Sequence, residues 1–166
     1  MQADGTLEHA EFLADGDGDP RRAFATSLIA QLRGAATLVV YTGYERTQLT
    51  ALRDAFPDLR SALEAVLTIP QFDLHPVVRN GYYHPEFRGS FSLKAVLPVM
   101  VPDLAYTDLA IQHGDVASLQ FQRLWDNGMD HTTRHQIRTD LLAYCERDTL
   151  AMVRIVDAFR AIAQGE

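Results

Sequence analysis

Tyr144 and Asp148 lie four residues apart, a spacing that sets a phenol and a carboxylate side by side on one face of a helix. Around them Leu141, Cys145, Asp148, Met152, Ile155 or Val156, and Phe159 recur in steps of three and four, the pattern of a core-facing stripe. One member of that stripe is a carboxylate. An ionised Asp against an apolar surface is costly unless a metal, a cation or hydrogen-bond donors compensate it. Two readings stay open: Asp148 is a carboxylate with such a partner, or it caps a fresh helix that begins at Thr149. A second acid, Glu45, follows closely on the β-branched run Thr37–Tyr41. Ligands in open α/β sheets bind just beyond the carboxyl ends of strands, so Glu45 stands where chemistry is done. An acid there also serves simply to complement the positive end of a helix.

Other polar groupings carry less. His131 and His135 have the i, i+4 spacing of a zinc pair, but the Glu beside the first His of a metalloprotease helix is missing, and both read as solvated helix-start residues. The alternating aspartates Asp15, Asp17 and Asp19 lack the distal Glu of a calcium loop and read as a turn. Asp19 is then the N-cap and Pro20 the first residue of a helix.

The elements that must position these groups follow from periodicity. Leu7–Leu13 alternates imperfectly and reads as an edge strand. A helix from Pro20 to about Arg33 places Phe24, Leu28, Ile29 and Leu32 on one face, and Gly34 stops it. Thr37–Tyr41 reads as a strand buried on both faces. A helix follows through Leu49, Leu52 and Phe56, then a short one over Pro57–Leu67. Phe72–Leu74 forms a brief strand ended by His75-Pro76, and Val77–Gly89 is an aromatic loop. Ser90–Leu97 is a short helix that carries Lys94, a candidate phosphate contact, into Pro98. Val101–Gly114 is a loop without a strong signal. Asp115 caps a helix that ends before Asn127-Gly128, and the last helix runs from near Asp130 to about Ile162, with Asp148 as its one point of possible interruption.

Composition narrows the partners. The chain has 166 residues, 47% of them hydrophobic and 22% charged, which suits a single soluble domain with a substantial core. Fifteen basic against 22 acidic residues give a net charge of −7, so no general polyanion-binding surface is expected. The lone Cys145 rules out an internal disulfide and fits a reducing cytoplasm. No apolar run reaches the length of a membrane span.

Three blocks bring these residues together: Val39–Leu49 with Tyr44 and Glu45, Gly89–Pro98 with Lys94, and Leu142–Met152 with Tyr144 and Asp148. They resemble an uncharacterised bacterial domain family placed among the ribonuclease H-like, DnaQ-like 3′–5′ exonucleases. The resemblance implies an α/β fold, with a mixed central sheet containing Leu7–Leu13 and Thr37–Tyr41 and helices packed around it. It implies a metal-dependent nuclease acting on DNA or RNA ends through Mg²⁺ or Mn²⁺. Glu45 and Asp148 would be metal ligands and Tyr144 the group that orients water, with Lys94 and Tyr44 as weaker substrate contacts. Four carboxylates serve such a site in those exonucleases, because two divalent ions need several hard oxygen ligands. The first pair, an Asp-x-Glu on the opening strand, has no counterpart before Pro20. The chain therefore reads as the C-terminal part of a longer domain, possessing further domains or strands as partners and inactive alone. The rival reading is a non-catalytic nucleic-acid-binding or scaffolding domain.

Overall fold

The computed structural model describes residues 5–16 and 18–165. They divide into two compact units. One is Gly18–Tyr83; the other joins the N-terminal segment before it to the residues from His84 onward. Helix accounts for 61% of the chain and strand for 4%. The expected ribonuclease H-like mixed sheet is therefore not the architecture of this chain. Its only sheet among the described residues has two parallel strands, β1 (Leu38–Val40) and β2 (Gln71–Asp73). The expected edge strand Leu7–Leu13 forms no ladder, and Leu7 and Phe12 are exposed. A strand exists only through hydrogen bonds to a neighbour, and alternation of side chains cannot supply that neighbour.

In the Gly18–Tyr83 unit, α1 (Arg21–Gln31) leads into β1, then α2 (Tyr44–Ala55), α3 (Arg60–Thr68), β2 and α4 (Leu74–Gly81). Its apolar centre is Ala25, Leu49, Leu52, Leu63 and Val66, with Leu28, Ile29 and Leu32 packed against it. Phe24, expected inside, is exposed, and Ala25 takes the buried place, so the α1 face is turned by one residue. The register Leu38↔Gln71, Val39↔Phe72, Val40↔Asp73 puts Val39 and Phe72 on one face. Both are exposed, at 38% and 47%, so β1 is covered on one side only and not on two as expected. His75-Pro76 does not end β2. Asp73 Oδ1 accepts a hydrogen bond from His75 N at 2.9 Å and starts α4, whose first turn tolerates Pro76 because no intrahelical bond is lost where proline lacks its N–H.

In the other unit, α5 (Leu93–Met100) continues past Pro98. It is followed by α6 (Gly114–Arg123) and α7 (His131–Gln164), a single helix of 34 residues. Asp130 caps α7 by accepting from Thr133 N at 2.9 Å, and Gly165 closes it at φ 79°, a left-handed position suited to glycine. The helix is continuous across Asp148 and Thr149, so Asp148 does not cap a new one. Asp115 sits inside the first turn of α6, whose N-cap is His113. The buried stripe of α7 is Ile137, Leu141, Tyr144, Ala151 and Ile155, with Asp148 half-buried in the same row. Cys145 and Met152, expected in that row, lie beside it, and Cys145 is exposed.

Candidate functional site

Two neighbouring α7 residues organise a polar centre in the second unit. Arg147 holds the loop before α6: its guanidinium donates to the Ala105 carbonyl and, in a fork, to both Asp108 carboxylate oxygens at 2.9 and 2.8 Å. A planar fork on a carboxylate fixes orientation as well as distance. The Arg147 side of that pair draws the Asp108 carboxyl below its ordinary range. Tyr106 lies between the two anchor points, and its hydroxyl donates to Asp148 Oδ1 at 2.5 Å.

Tyr144, one turn before Asp148 on α7, faces the same carboxylate. Tyr106 and Tyr144 are 6% and 7% exposed, their ring centroids 6.1 Å apart. Burial pushes the Tyr106 phenol far above its ordinary value, and its hydrogen bond to Asp148 pushes it further. Burial likewise raises Tyr144, followed by the negative charge of Asp148. Both phenols therefore stay protonated through the neutral range. The cost of placing a carboxylate in an apolar stripe is offset here by the hydrogen bond from Tyr106.

Lys94, from α5, lies over both rings. Its Nζ is 5.2 Å from the Tyr106 ring centroid and 4.8 Å from that of Tyr144, and it donates to the Gln112 carbonyl at 2.6 Å. Such distances are those of cation–π attraction. The Tyr144 hydroxyl also borders the start of α6, where a Cβ at Gly114 would lie 3.5 Å from it. Tyr144, Asp148 and Lys94 are thus brought together. Tyr106 and the Arg147–Asp108 anchor went unread in the sequence. The loop has no periodicity, and Tyr106 meets Asp148 across 42 positions of chain.

Glu45 and Tyr44 belong to the Gly18–Tyr83 unit. They open α2 directly beyond β1; Tyr44 is 66% exposed and Glu45 half-buried in the first turn. Glu45 Oε2 is buried without a hydrogen-bond partner, an uncommon state for a polar atom. The turn between β1 and α2 is strained: Thr42, a β-branched residue, has φ 74°. Its N–H donates at 2.9 Å to Asp73 Oδ1, the same oxygen that caps α4.

The resemblance implied a pair of divalent ions. Among the described residues no group of three or more His, Cys, Asp or Glu side chains is placed to hold a metal. Asp148 Oδ1 is already engaged by Tyr106. The residues present do not make a complete two-metal centre, and no step through a metal is derived from them.

This geometry defines a mainly helical protein with a half-buried carboxylate on its longest helix, hydrogen-bonded to a buried phenol. A family model described as Domain of unknown function (DUF2779) matches residues 1–92, more than half of the chain. The chain belongs to that family. The matched span contains Tyr44 and Glu45 and ends before Lys94, Tyr144 and Asp148. No curated protein matches the chain, and no solved structure does. Among the described residues no helix is long and apolar enough to cross a membrane.

Proposed function

We propose that this chain contributes a Tyr-x-x-x-Asp element to a cytoplasmic, metal-dependent nuclease that hydrolyses phosphodiester bonds at DNA or RNA ends. The observation that carries this reading is the Tyr144–Asp148 pair: a buried phenol and a half-buried carboxylate one helical turn apart in the same row of α7. A protonated phenol in that place holds a water by donating or accepting one hydrogen bond, and the carboxylate beside it offers a second acceptor. Glu45, in its own unit, adds support through a buried oxygen that no described residue satisfies. Mg²⁺ or Mn²⁺ is the cofactor of this reading, because hard ions select carboxylate oxygens. The remaining carboxylates are then supplied from outside the described residues.

The test compares the 166-residue chain with the same chain extended by any coding sequence preceding Met1 in its gene. Both are incubated with end-labelled single-stranded DNA and RNA in Mg²⁺ and in Mn²⁺. Hydrolysis by the extended protein, abolished by D148N and slowed by Y144F with metal binding retained, is the expected result. An extended protein that leaves both substrates intact overturns the reading. That outcome would favour a non-catalytic nucleic-acid-binding or scaffolding role, which is supported by the engagement of Asp148 with Tyr106 and by the lack of a metal-ligand cluster among the described residues. In that case D148N lowers stability and has no activity to remove.

A further inference from the structure

We infer that Lys94 is a positioning residue, the brace that holds Tyr106 and Tyr144 against Asp148. The function assigned to this brace rests on the nuclease reading; its geometry does not. Lys94 is the sole lysine of the chain. It is half-buried, and its ammonium faces two aromatic rings rather than a carboxylate. One group thereby ties together three elements: α5, which carries it; the loop of Tyr106 and Gln112; and α7, which carries Tyr144.

The alternatives at this position are weaker by the same distances. A phosphate contact wants the ammonium free at the surface, whereas this one donates to the Gln112 carbonyl at 2.6 Å. An ion pair with Asp148 is not formed among the described residues; the carboxylate is engaged by the Tyr106 hydroxyl instead. What Lys94 does lie over is the ring of Tyr106, whose hydroxyl donates to Asp148, and the ring of Tyr144, one turn before Asp148 on α7. Holding both rings fixes where each hydroxyl oxygen stands, since a phenol oxygen lies in the plane of its ring. Arg147 anchors the Tyr106 loop from the other side, so Lys94 is left to set the rings and not the loop.

A single lysine gives a single set of side-chain signals, which makes the test direct. In the 166-residue chain labelled with ¹³C-lysine and with ¹³Cζ-tyrosine, the Lys94 ε-methylene protons should be shifted upfield by ring currents. That shift should diminish in Y106L and in Y144L taken singly. In K94M the Tyr106 and Tyr144 Cζ signals should move while those of the other four tyrosines stay in place, and K94R should restore them. In the extended protein, K94M should lower hydrolysis roughly ten- to a hundredfold through kcat with KM little changed, as expected when reacting groups are slightly misplaced. Again K94R should recover most of it.

An unshifted Lys94 ε-methylene in the unmodified chain overturns the brace, and that measurement needs no variant to fold. So does a K94M protein that folds with both tyrosine signals unmoved. A K94M effect on KM alone overturns the positioning role in favour of a substrate contact. If the extended protein has no activity at all, the nuclease reading falls, and the lysine and tyrosine signals still decide the brace.

Discussion

At the scale of the residue, the decisive group is Asp148, and its surroundings show how a carboxylate is kept in an apolar helical row. Tyr106 donates to it, and the phenols of Tyr106 and Tyr144 are each held above their ordinary value by burial first and by Asp148 second. Tyr41, in the other unit, is pushed up to about 12, by burial and then by the charge of Asp73. The consequence for stability has a definite sign. An unfolded tyrosine releases its proton near pH 10, whereas these folded phenols keep theirs to higher pH. Below pH 10 both states are protonated and the contribution is fully present. As pH rises beyond 10, the unfolded state binds fewer protons than the native state, and stability falls until the native phenols ionise. Thermal unfolding of the unmodified chain should therefore show Tm declining from about pH 10 upward. Y106F removes one of these phenols. Its Tm at pH 8 should be lower, by a loss of about 1.5–3 kcal/mol for a hydrogen bond to a charged acceptor. Its decline above pH 10 should be shallower. A Y106F protein as stable as the parent at pH 8 would mean that the 2.5 Å contact contributes nothing net.

At the scale of the element, local signals were legible and long-range ones were not. The helices announced themselves through periodicity, while the caps expected at Asp19 and Asp115 fall on Pro20 and His113. The last helix does start beside Asp130, whose carboxylate meets Thr133 N and Oγ1 at 2.9 and 2.7 Å. D130A should lower stability, measured by denaturant unfolding, and D130S should recover most of it. Equal stability of D130A and the parent would show that α7 is held by packing alone. The sheet misled for a physical reason. Thr37–Tyr41 and Phe72–Leu74 do carry strands, the first shortened to Leu38–Val40 and the second shifted by one residue to Gln71–Asp73, but sheet size depends on partners that no local pattern reveals. Leu7–Leu13 has the alternation of a strand and no ladder. On α7 the stripe was misplaced by a single residue, because Cys145 and Tyr144 are both apolar enough to occupy the row. The structure buries the larger ring and exposes the thiol. The candidate site was half visible: the i, i+4 pair of Tyr144 and Asp148 is a local pattern, whereas Tyr106 reaches Asp148 from a loop with no periodicity at all.

At the scale of the whole molecule, charge sets a limit on how this chain meets nucleic acid. Twenty-two acidic residues face 15 basic ones. Much of the basic charge is already paired: Arg21 with Asp19, Arg22 with Asp58, Arg53 with Asp54, Arg138 with Asp15, Arg147 with Asp108, and Arg154 and Arg160 with Asp157. Arg134 is turned to the main-chain carbonyls of Leu124 and Asp126. Non-specific binding of a polyanion comes from basic groups that displace its counterions, and affinity then falls steeply as salt rises. An acidic chain with seven of its 14 arginines in ion pairs is short of that source. In EDTA at low salt, the 166-residue chain should leave single-stranded DNA and RNA unretarded up to protein concentrations on the order of 10⁻⁴ M, the weak end of ordinary non-specific binding. Any retention gained on adding Mn²⁺ should be reduced by D148N, since the nuclease reading makes that carboxylate a point of attachment. Tight binding in EDTA with a steep inverse dependence on salt would point to a basic groove that the paired arginines do not suggest. Retention in Mn²⁺ that is indifferent to D148N would remove Asp148 from the nucleic-acid site and leave it a structural acceptor for Tyr106.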